Sequence, residues 1–412
     1  MSGVTLISDI AWVKRGVAKQ VPDKVKMDAE EFKNFFPVIP ITFLILLYIF
    51  RHGAGTIGNA MYSSSFDDPY ITNHVESDDE EREDFEIKPD DNLVAIAKIN
   101  KGEYTIEAYV YNEGDDDWYV HHDYILDAPP LCLEHLSYDP GDQNRKGNLL
   151  AVGSMTPFVG IWDLDLVNAM EPVVLLGSSK GNRHKRDGSA QGHSDAVLSL
   201  SWNRNSEHVI ASGSADQTVV LWDLDDAKAA NIYADYGGKV QSLEWHPGEI
   251  SILLSGTLSG DVCLRDCRQG TASPPRKWKV DGEVEQLFWD CFNPFYFYVA
   301  TDSGKMYYID SRAAQPHFVH ATNDGEIHGI SQSVNTKGLI CTCGSDSMLK
   351  IWKNNETGMQ LVHEEQMSLG ELHSVRFSPD SSSVVAVGGS KDELVKVVSL
   401  EAYPLVKEAF SI

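Results

Sequence analysis

The chain has 412 residues, 42% of them hydrophobic, which is enough for one large core or for roughly two or three smaller domains. Its 34 basic and 61 acidic residues give a net charge of −27, which disfavours general electrostatic binding to nucleic acid or anionic membranes and suits basic partners. The six cysteines form no C-x-x-C pair, so we expect reduced thiols in a cytosolic or nuclear protein and no metal site.

The first predicted element is a strand at residues 7–13, inside an N-terminal segment 1–14. Its sequence ISDIAW resembles LSLSW at 198–202, which opens a unit that recurs later in the chain. We therefore assign segment 1–14 to the first of these repeated units, as its opening strand.

An insertion at residues 15–90 interrupts that first unit. Residues 35–50 are 16 uncharged, largely apolar residues, which span about 24 Å as a helix and fall short of a bilayer core. Three interpretations stay open for 35–50: a membrane anchor, a buried or partner-binding segment, or translated non-coding sequence.

The end of the insertion is strongly acidic. Residues 76–86 contain eight acidic residues and one arginine, so we expect them to be solvated and disordered. Ser77 precedes four consecutive acidic residues, a pattern typical of acidic-directed kinases, which makes Ser77 a candidate phosphorylation site.

Three further strands, at 93–97, 104–111 and 118–125, complete the first unit. The last strand carries His121, His122 and Asp123, the one cluster in the sequence that resembles a catalytic triad. Neighbouring residues of a strand point to opposite faces, so we expect His121 and His122 not to share a site.

A second insertion, at residues 178–191, is the one basic loop of this acidic chain. It is rich in glycine and serine as well as in basic residues. A nuclear-localisation signal, a phosphate contact and a plain solvated loop all remain open. The basic residues that would act in the first two cases are Lys180, Arg183, Lys185 and Arg186.

The clearest repeat covers residues 192–223, which run from a Gly-His pair to a Trp-Asp pair with two short strands between them. Trp202, Trp245 and Trp289 then recur at intervals of 43 and 44 residues. The closing dipeptides at 222–223, 265–266, 309–310 and 352–353 keep the same period. A period near 43 with about four short strands is typical of a propeller blade.

The repeat at 192–223 resembles the WD repeat family, and the count of units predicts an all-β, seven-bladed WD40 β-propeller with a partly disordered N-terminal insertion. Blade 1 is split; with six further blades the propeller takes residues 91–402, and 403–412 form a C-terminal tail. We expect ring closure to bring the chain ends together. The resemblance implies a structural hydrogen-bonded tetrad of His193, Ser212, Asp216 and Trp222, and a partial one of Thr342, Asp346 and Trp352.

Longer segments carry a narrower resemblance. AWVKRGVAK at 11–19, EREDFEIKPDDNL at 81–93 and VGSMTPFVGIWDLD at 152–165 are similar to the periodic tryptophan protein 1 family. That resemblance implies a nuclear and nucleolar scaffold in ribosome biogenesis, with roles in ribosomal RNA processing and large-subunit assembly.

We expect no catalysis and no cofactor, because the sequence contains no Walker A loop, GxSxG or HExxH. The expected partners are ribosome-assembly factors, ribosomal proteins or histones, with RNA contacted indirectly, no small-molecule substrate and no membrane. Two alternatives remain: a histone- or chromatin-binding adaptor, and a membrane-tethered adaptor that uses residues 35–50. The sequence leaves the direct partner, its face on the propeller and the oligomeric state undetermined.

Overall fold

The computed structural model describes residues 5–24, 85–115, 117–142, 144–177, 192–272, 274–355, 358–391 and 394–412. These residues form seven antiparallel sheets, the blades of a propeller, in which successive strands lie progressively farther from the centre. Blade 1 consists of β1 (Thr5–Val13), β3 (Asn92–Asn100), β4 (Glu103–Asn112) and β5 (Asp117–Ile125), and blade 2 of β6 (Pro130–Tyr138), β7 (Lys146–Ser154), β8 (Val159–Asp163) and β10 (Val174–Leu176). Blade 3 consists of β11 (Val197–Trp202), β12 (Val209–Ser214), β13 (Val219–Asp223) and β14 (Lys228–Tyr233). Blade 4 consists of β15 (Val240–Trp245), β16 (Ile252–Thr257), β17 (Asp261–Asp266) and β18 (Arg276–Lys279).

Blade 7 has three strands among the described residues, and the other blades have four. The predicted seven-bladed propeller is confirmed. Blade 5 consists of β19 (Val284–Trp289), β20 (Tyr296–Thr301), β21 (Lys305–Asp310) and β22 (Pro316–Ala321). Blade 6 consists of β23 (Ile327–Gln332), β24 (Leu339–Gly344), β25 (Met348–Asn355) and β26 (Gly358–Gln366). Blade 7 consists of β27 (Leu372–Phe377), β28 (Val384–Gly389) and β29 (Val395–Ser399). The remaining elements are β2 (Asp23–Lys24), β9 (Leu166–Val167), two 3₁₀ segments (Cys267–Ala272 and Leu400–Ala402) and helix α1 (Pro404–Phe410).

The first strand of each blade is the innermost, and these seven strands contact one another in a closed ring. Alternation along each strand sends one apolar side chain into the core between neighbouring blades. These core residues are all buried: Ile10, Leu133, Leu200, Leu243, Leu287, Ile330 and Val375.

Side chains of the inner strands also bind the next blade directly. At six successive junctions, a polar side chain of one inner strand accepts a hydrogen bond from a backbone N–H of the following inner strand. Each bond therefore satisfies a buried donor that has no partner inside its own sheet. The pairs are Leu133 N to Asp9 Oδ2, Trp202 N to Glu134 Oε1, Trp245 N to Ser201 Oγ, Leu287 N to Ser242 Oγ, Ile330 N to Gln286 Oε1 and Phe377 N to Ser331 Oγ, over 2.8 to 3.4 Å.

The seventh junction joins β1 to β27, where the two ends of the propeller meet. No blade combines strands from both ends of the described chain, so side chains close the ring. Asp9 Oδ1 accepts hydrogen bonds from Ser374 Oγ and from Arg376 Nη2, both over 3.1 Å. Trp12 Nε1 donates to the Arg376 carbonyl over 3.1 Å, and Asn92 Nδ2 donates to Asp380 over 2.7 Å.

The two ends of the long insertion lie together beside blades 1 and 2. Strand β2 pairs in parallel with β9, and the Lys24 ammonium lies 4.1 Å from the centre of the Phe85 ring. The Ile87 N–H donates to the Gln20 carbonyl over 2.8 Å. The insertion therefore leaves and re-enters the propeller at one place.

The segment 403–412, predicted as a tail, contains helix α1 and packs against blade 6. Val406 is fully buried, and the Tyr403 ring stacks on His363 with centroids 4.2 Å apart. Lys353 Nζ donates to the Ala409 carbonyl over 2.5 Å. This end of the chain is therefore part of the packed structure.

We expect Asp9→Ala to lower the free energy of unfolding by about 3 kcal/mol, because it removes two hydrogen bonds at the closing junction and one to Leu133 of blade 2, and leaves Arg376 without its carboxylate. Urea denaturation followed by circular dichroism measures this change. The control is Asp115→Ala, whose exposed carboxylate pairs with Lys88 over 3.5 Å and should matter by no more than about 0.5 kcal/mol. Equal losses in the two variants would show that Asp9 does not close the ring.

Candidate interaction surfaces

The four residues of the predicted tetrad meet inside blade 3. His193 Nε2 lies 2.7 Å from Ser212 Oγ, and Trp222 Nε1 donates to the same oxygen over 2.7 Å. His193 Nδ1 lies 3.2 Å from Asp216 Oδ2. Ser212 and Trp222 are fully buried, so these groups hold strands together and offer no surface to a ligand.

Asp216 is the charged end of the tetrad. Burial opposes its ionisation, but hydrogen bonds with His193, Thr218 and the Ser194 N–H outweigh burial and hold the pKa of Asp216 below its usual range. The carboxylate therefore anchors the loop that precedes β11 to the turn between β12 and β13.

Blade 6 brings together Thr342, Asp346 and Trp352 of the predicted partial tetrad and adds Asn323, which the sequence did not reveal. Trp352 Nε1 donates to Thr342 Oγ1 over 3.0 Å, and Thr342 Oγ1 donates to Asn323 Oδ1 over 3.0 Å. Asn323 Nδ2 donates to Asp346 over 3.2 Å. Asn323 stands four residues before its inner strand, as His193 does, and that spacing was the signal that could have identified it.

Blade 4 replaces the tetrad with a buried arginine. The Arg265 guanidinium donates to both carboxylate oxygens of Asp235 over 2.5 Å and lies 4.4 Å from the centre of the Tyr233 ring. Tyr236 occupies the position of the histidine and is buried against the same guanidinium. The Arg265 guanidinium, packed against the rings of Tyr233 and Tyr236, thus stabilises this blade.

Blade 5 replaces the tetrad with apolar packing. Val280, Val299 and Ile309 occupy the histidine, serine and tryptophan positions, and all three belong to one buried cluster. Among blades 3 to 6, only blade 3 therefore carries the full tetrad, and blades 4, 5 and 6 use other side chains at the same positions.

The loops between blades, together with those that join the second and third strands of each blade, form one face of the ring, here called the upper face. Glu283, Glu326 and Glu371 stand exposed on this face, each directly before the inner strand of blades 5, 6 and 7. Burial, opposed by His328 and reinforced by neighbouring carboxylates, raises the pKa of Glu285 to about 7. This acidic rim favours a cationic partner.

Two histidines lie within the same rim. The His328 and His373 rings stack nearly parallel with centroids 5.1 Å apart. His328 Nδ1 donates to the Leu372 carbonyl over 3.0 Å, which leaves Nε2 facing Glu326 at 3.2 Å. The rim of blades 5 to 7 is thus ordered by specific contacts.

His121 and His122 contact each other, so the expectation that they point to opposite faces is wrong. The register shifts between Ala108 and Tyr109, which pair with His122 and Val120 respectively. This β-bulge leaves His121 unpaired in the ladder and turns its side chain toward His122.

The histidine pair links the end of the insertion to blade 2. The two Nδ1 atoms lie 2.8 Å apart, so a single proton lies between them. His121 Nε2 lies 3.0 Å from the Phe85 carbonyl, and His122 Nε2 lies 3.0 Å from Tyr124 Oη. Tyr124 Oη donates to the Asp163 carbonyl over 2.8 Å. The pair serves as a buried structural link and presents no free nucleophile.

Several predicted functional residues lie outside the described residues. They are Ser77, the apolar segment 35–50, most of the acidic segment 76–86 and the whole basic loop 178–191 with Lys180, Arg183, Lys185 and Arg186. Within the described residues, no three His, Cys, Asp or Glu side chains are grouped to hold a metal ion. A search of the same residues identifies no helix of the length and apolar character that a membrane crossing requires.

Comparisons with known proteins identify the family. A family model described as WD domain, G-beta repeat matches residues 185–223. The Periodic tryptophan protein 1 homolog of Drosophila melanogaster is 37% identical over 340 residues, which are 82% of this chain and 73% of that protein. The chain belongs to the periodic tryptophan protein 1 family.

Membership in the periodic tryptophan protein 1 family confirms the resemblance inferred from residues 11–19, 81–93 and 152–165. Periodic tryptophan protein 1 of Saccharomyces cerevisiae is 30% identical over 380 residues, which are 78% of this chain and 66% of that protein. A chain of the Crystal Structure of Mitotic Checkpoint Complex superposes with a TM-score of 0.58 at 17% identity, covering 75% of this chain and 84% of that one. That likeness shows the propeller fold alone.

We expect Ser212→Ala to cost about 2–3 kcal/mol of folding free energy, because it leaves the buried His193 and Trp222 nitrogens without their shared partner. Ser255→Ala is the matched control, since Ser255 occupies the same position in blade 4 and donates one bond to the Cys263 carbonyl. That control should cost less than about 1 kcal/mol. Equal losses by urea denaturation would mean that the tetrad adds nothing.

The histidine pair predicts a pH dependence. Burial and the neighbouring His121 lower the pKa of His122 to about 3, so between about pH 6.5 and pH 3 only the unfolded chain binds this proton. The stabilising contribution is present above pH 6.5 and is lost as the pH falls. In His122→Gln, the decrease in unfolding free energy from pH 7 to pH 5 should be smaller by about 1–2 kcal/mol. The exposed control Val120→Gln should keep the wild-type decrease, and an unchanged decrease in His122→Gln would refute this assignment.

Proposed function

We propose that this member of the periodic tryptophan protein 1 family is a non-catalytic scaffold that acts in the nucleus and nucleolus in ribosome biogenesis. In this role it would hold assembly factors or ribosomal proteins together during ribosomal RNA processing and large-subunit assembly. The observation that carries the proposal is the closed ring of hydrogen bonds between inner strands, which fixes loops of varied chemistry on two opposite faces.

The acidic rim of the upper face supports a basic protein partner. Glu283, Glu326 and Glu371 are exposed side by side around blades 5 to 7, and ribosomal proteins carry basic segments that such a rim attracts. The net charge of −27 opposes direct binding to RNA phosphates, so we propose that RNA is reached through bound proteins. Phosphorylation of Ser77 would add further negative charge.

The same rim favours one second candidate, an adaptor that binds basic histone tails. The two functions predict different complexes with which the protein co-fractionates. Sedimentation with ribosomal precursors favours the first function, and co-fractionation with nuclease-released chromatin favours the second.

We expect the tagged full-length protein to sediment with large-subunit precursor particles in a sucrose gradient of nuclear extract. Glu326→Lys combined with Glu371→Lys should shift at least about half of it to the free fractions, because like charges then repel a basic partner. The matched control, Glu103→Lys combined with Asp115→Lys, reverses two exposed charges on blade 1 and should sediment as the wild type. Wild-type protein found only in the free fractions would contradict the ribosomal role.

A further inference from the structure

The loops that follow each inner strand, and the loops that join the third and fourth strands, form the opposite or lower face of the ring. Three large apolar side chains are exposed there on neighbouring loops of blades 4 and 5. Ile250 is 51% exposed, Phe292 is 37% exposed and Phe295 is 48% exposed. Large exposed aromatic groups on adjacent loops are typical of protein interaction sites.

Two arginines border these apolar side chains. The Arg312 guanidinium carbon lies 4.1 Å from the centre of the Phe295 ring, and Arg276 lies 5.1 Å from that of Trp278. Arg276 Nη2 donates to the Arg312 carbonyl over 2.8 Å, which joins the lower loops of blades 4 and 5. We call Ile250, Phe292, Phe295, Arg276 and Arg312 the lower patch.

The backbone beneath the lower patch is held by bonds between blades. Asn203 Nδ2 donates to the Ile250 carbonyl over 2.7 Å, and His246 Nε2 donates to the Pro294 carbonyl over 2.8 Å. The Ser311 N–H donates to the Phe295 carbonyl over 2.8 Å. A surface ordered in this way loses little conformational entropy when a partner binds.

The charges of the lower patch distinguish a protein partner from a nucleic acid. Arg312 already forms two hydrogen bonds with Asp310, from Nε over 2.9 Å and from Nη2 over 2.8 Å. Arg276 has no salt bridge to a carboxylate in the part of the chain that the structure describes. The patch therefore carries one uncompensated cation beside three apolar groups. Nucleic-acid surfaces need several such cations, whereas aromatic and arginine side chains together are enriched in protein interfaces.

We propose that the lower patch binds an amphipathic, acidic segment of another protein. Apolar side chains of that segment cover Ile250, Phe292 and Phe295, and its carboxylates pair with Arg276. This surface is opposite to the acidic rim, so the ring can hold a basic and an acidic partner at the same time. The inference rests on the scaffold role proposed above and adds a partner chemistry to it.

The test uses fluorescence anisotropy with the full-length protein and a labelled, helix-forming peptide that carries leucine and phenylalanine on one face and glutamate on the other. Phe295→Ala and Arg276→Glu should each raise the Kd at least about tenfold, as expected for central interface residues. The controls are Val319→Ala and Lys228→Glu. They change an exposed apolar side chain on the outer strand of blade 5 and an exposed basic side chain of blade 3 that pairs with Asp226, both outside the patch, and should leave the Kd unchanged. Circular dichroism verifies that all four variants fold.

Several results would overturn the proposal. They are no binding of the peptide, equal weakening by the controls, tighter binding of a peptide with lysine in place of glutamate, and Arg276-dependent binding of oligouridine in place of the peptide. Peptide binding that emerges only after residues 76–86 are replaced by glycine and serine would assign the patch to the chain's own acidic segment and would also overturn it. Loss of dimers in Phe295→Ala, with no peptide bound, would assign the patch to a second copy.

The failure of this surface can be separated from failure of the proposed function. Protein that sediments with ribosomal precursors but does not bind the acidic peptide contradicts the lower patch alone. Protein that binds the peptide through Phe295 and Arg276 but stays in the free fractions contradicts the ribosomal role alone.

Discussion

The whole molecule depends on hydrogen bonds that cross from one inner strand to the next. Each blade buries its apolar side chains against its neighbours, but apolar packing alone does not set how far one blade slides past another. The bond from an inner-strand N–H to a serine, glutamine or carboxylate of the preceding blade sets that register at six junctions. At the seventh junction, Asp9 accepts hydrogen bonds from Ser374 and Arg376, which lie more than 360 residues away from Asp9 in the chain.

Because these bonds hold the ring, individual blades are free to vary inside. Blade 3 uses the tetrad around Ser212, blade 6 uses Asn323 in place of the histidine, and blade 4 uses Arg265 between tyrosines. Blade 5 has apolar side chains at the tetrad positions. The two faces diverge in the same way, so that carboxylates cluster around blades 5 to 7 on one face and an arginine–aromatic patch lies on the other.

The period of the tryptophans and the closing dipeptides predicted the repeated four-stranded unit, and strand patterns outside the periodic part, such as those at 7–13 and 93–125, completed the count of seven blades. Residues 11–19 and 81–93 were sufficient to indicate the family, as the comparison with Drosophila melanogaster confirms. Features that depend on the exact pairing of strands and on side-chain contacts escaped prediction. The bulge that joins His121 to His122 depends on how β5 pairs with β4, and the role of Asn323 depends on a contact with Thr342.

Native-state hydrogen exchange of the full-length protein, read by mass spectrometry, tests the central claim that side chains close the propeller into one cooperative ring. If side chains close the ring, amides of β1 and β27 open with the same free energy as those of the inner strands β11 and β19. Exchange of β1 and β27 at a much lower free energy than β11 and β19 would show that the ring opens at this junction, and would contradict the account.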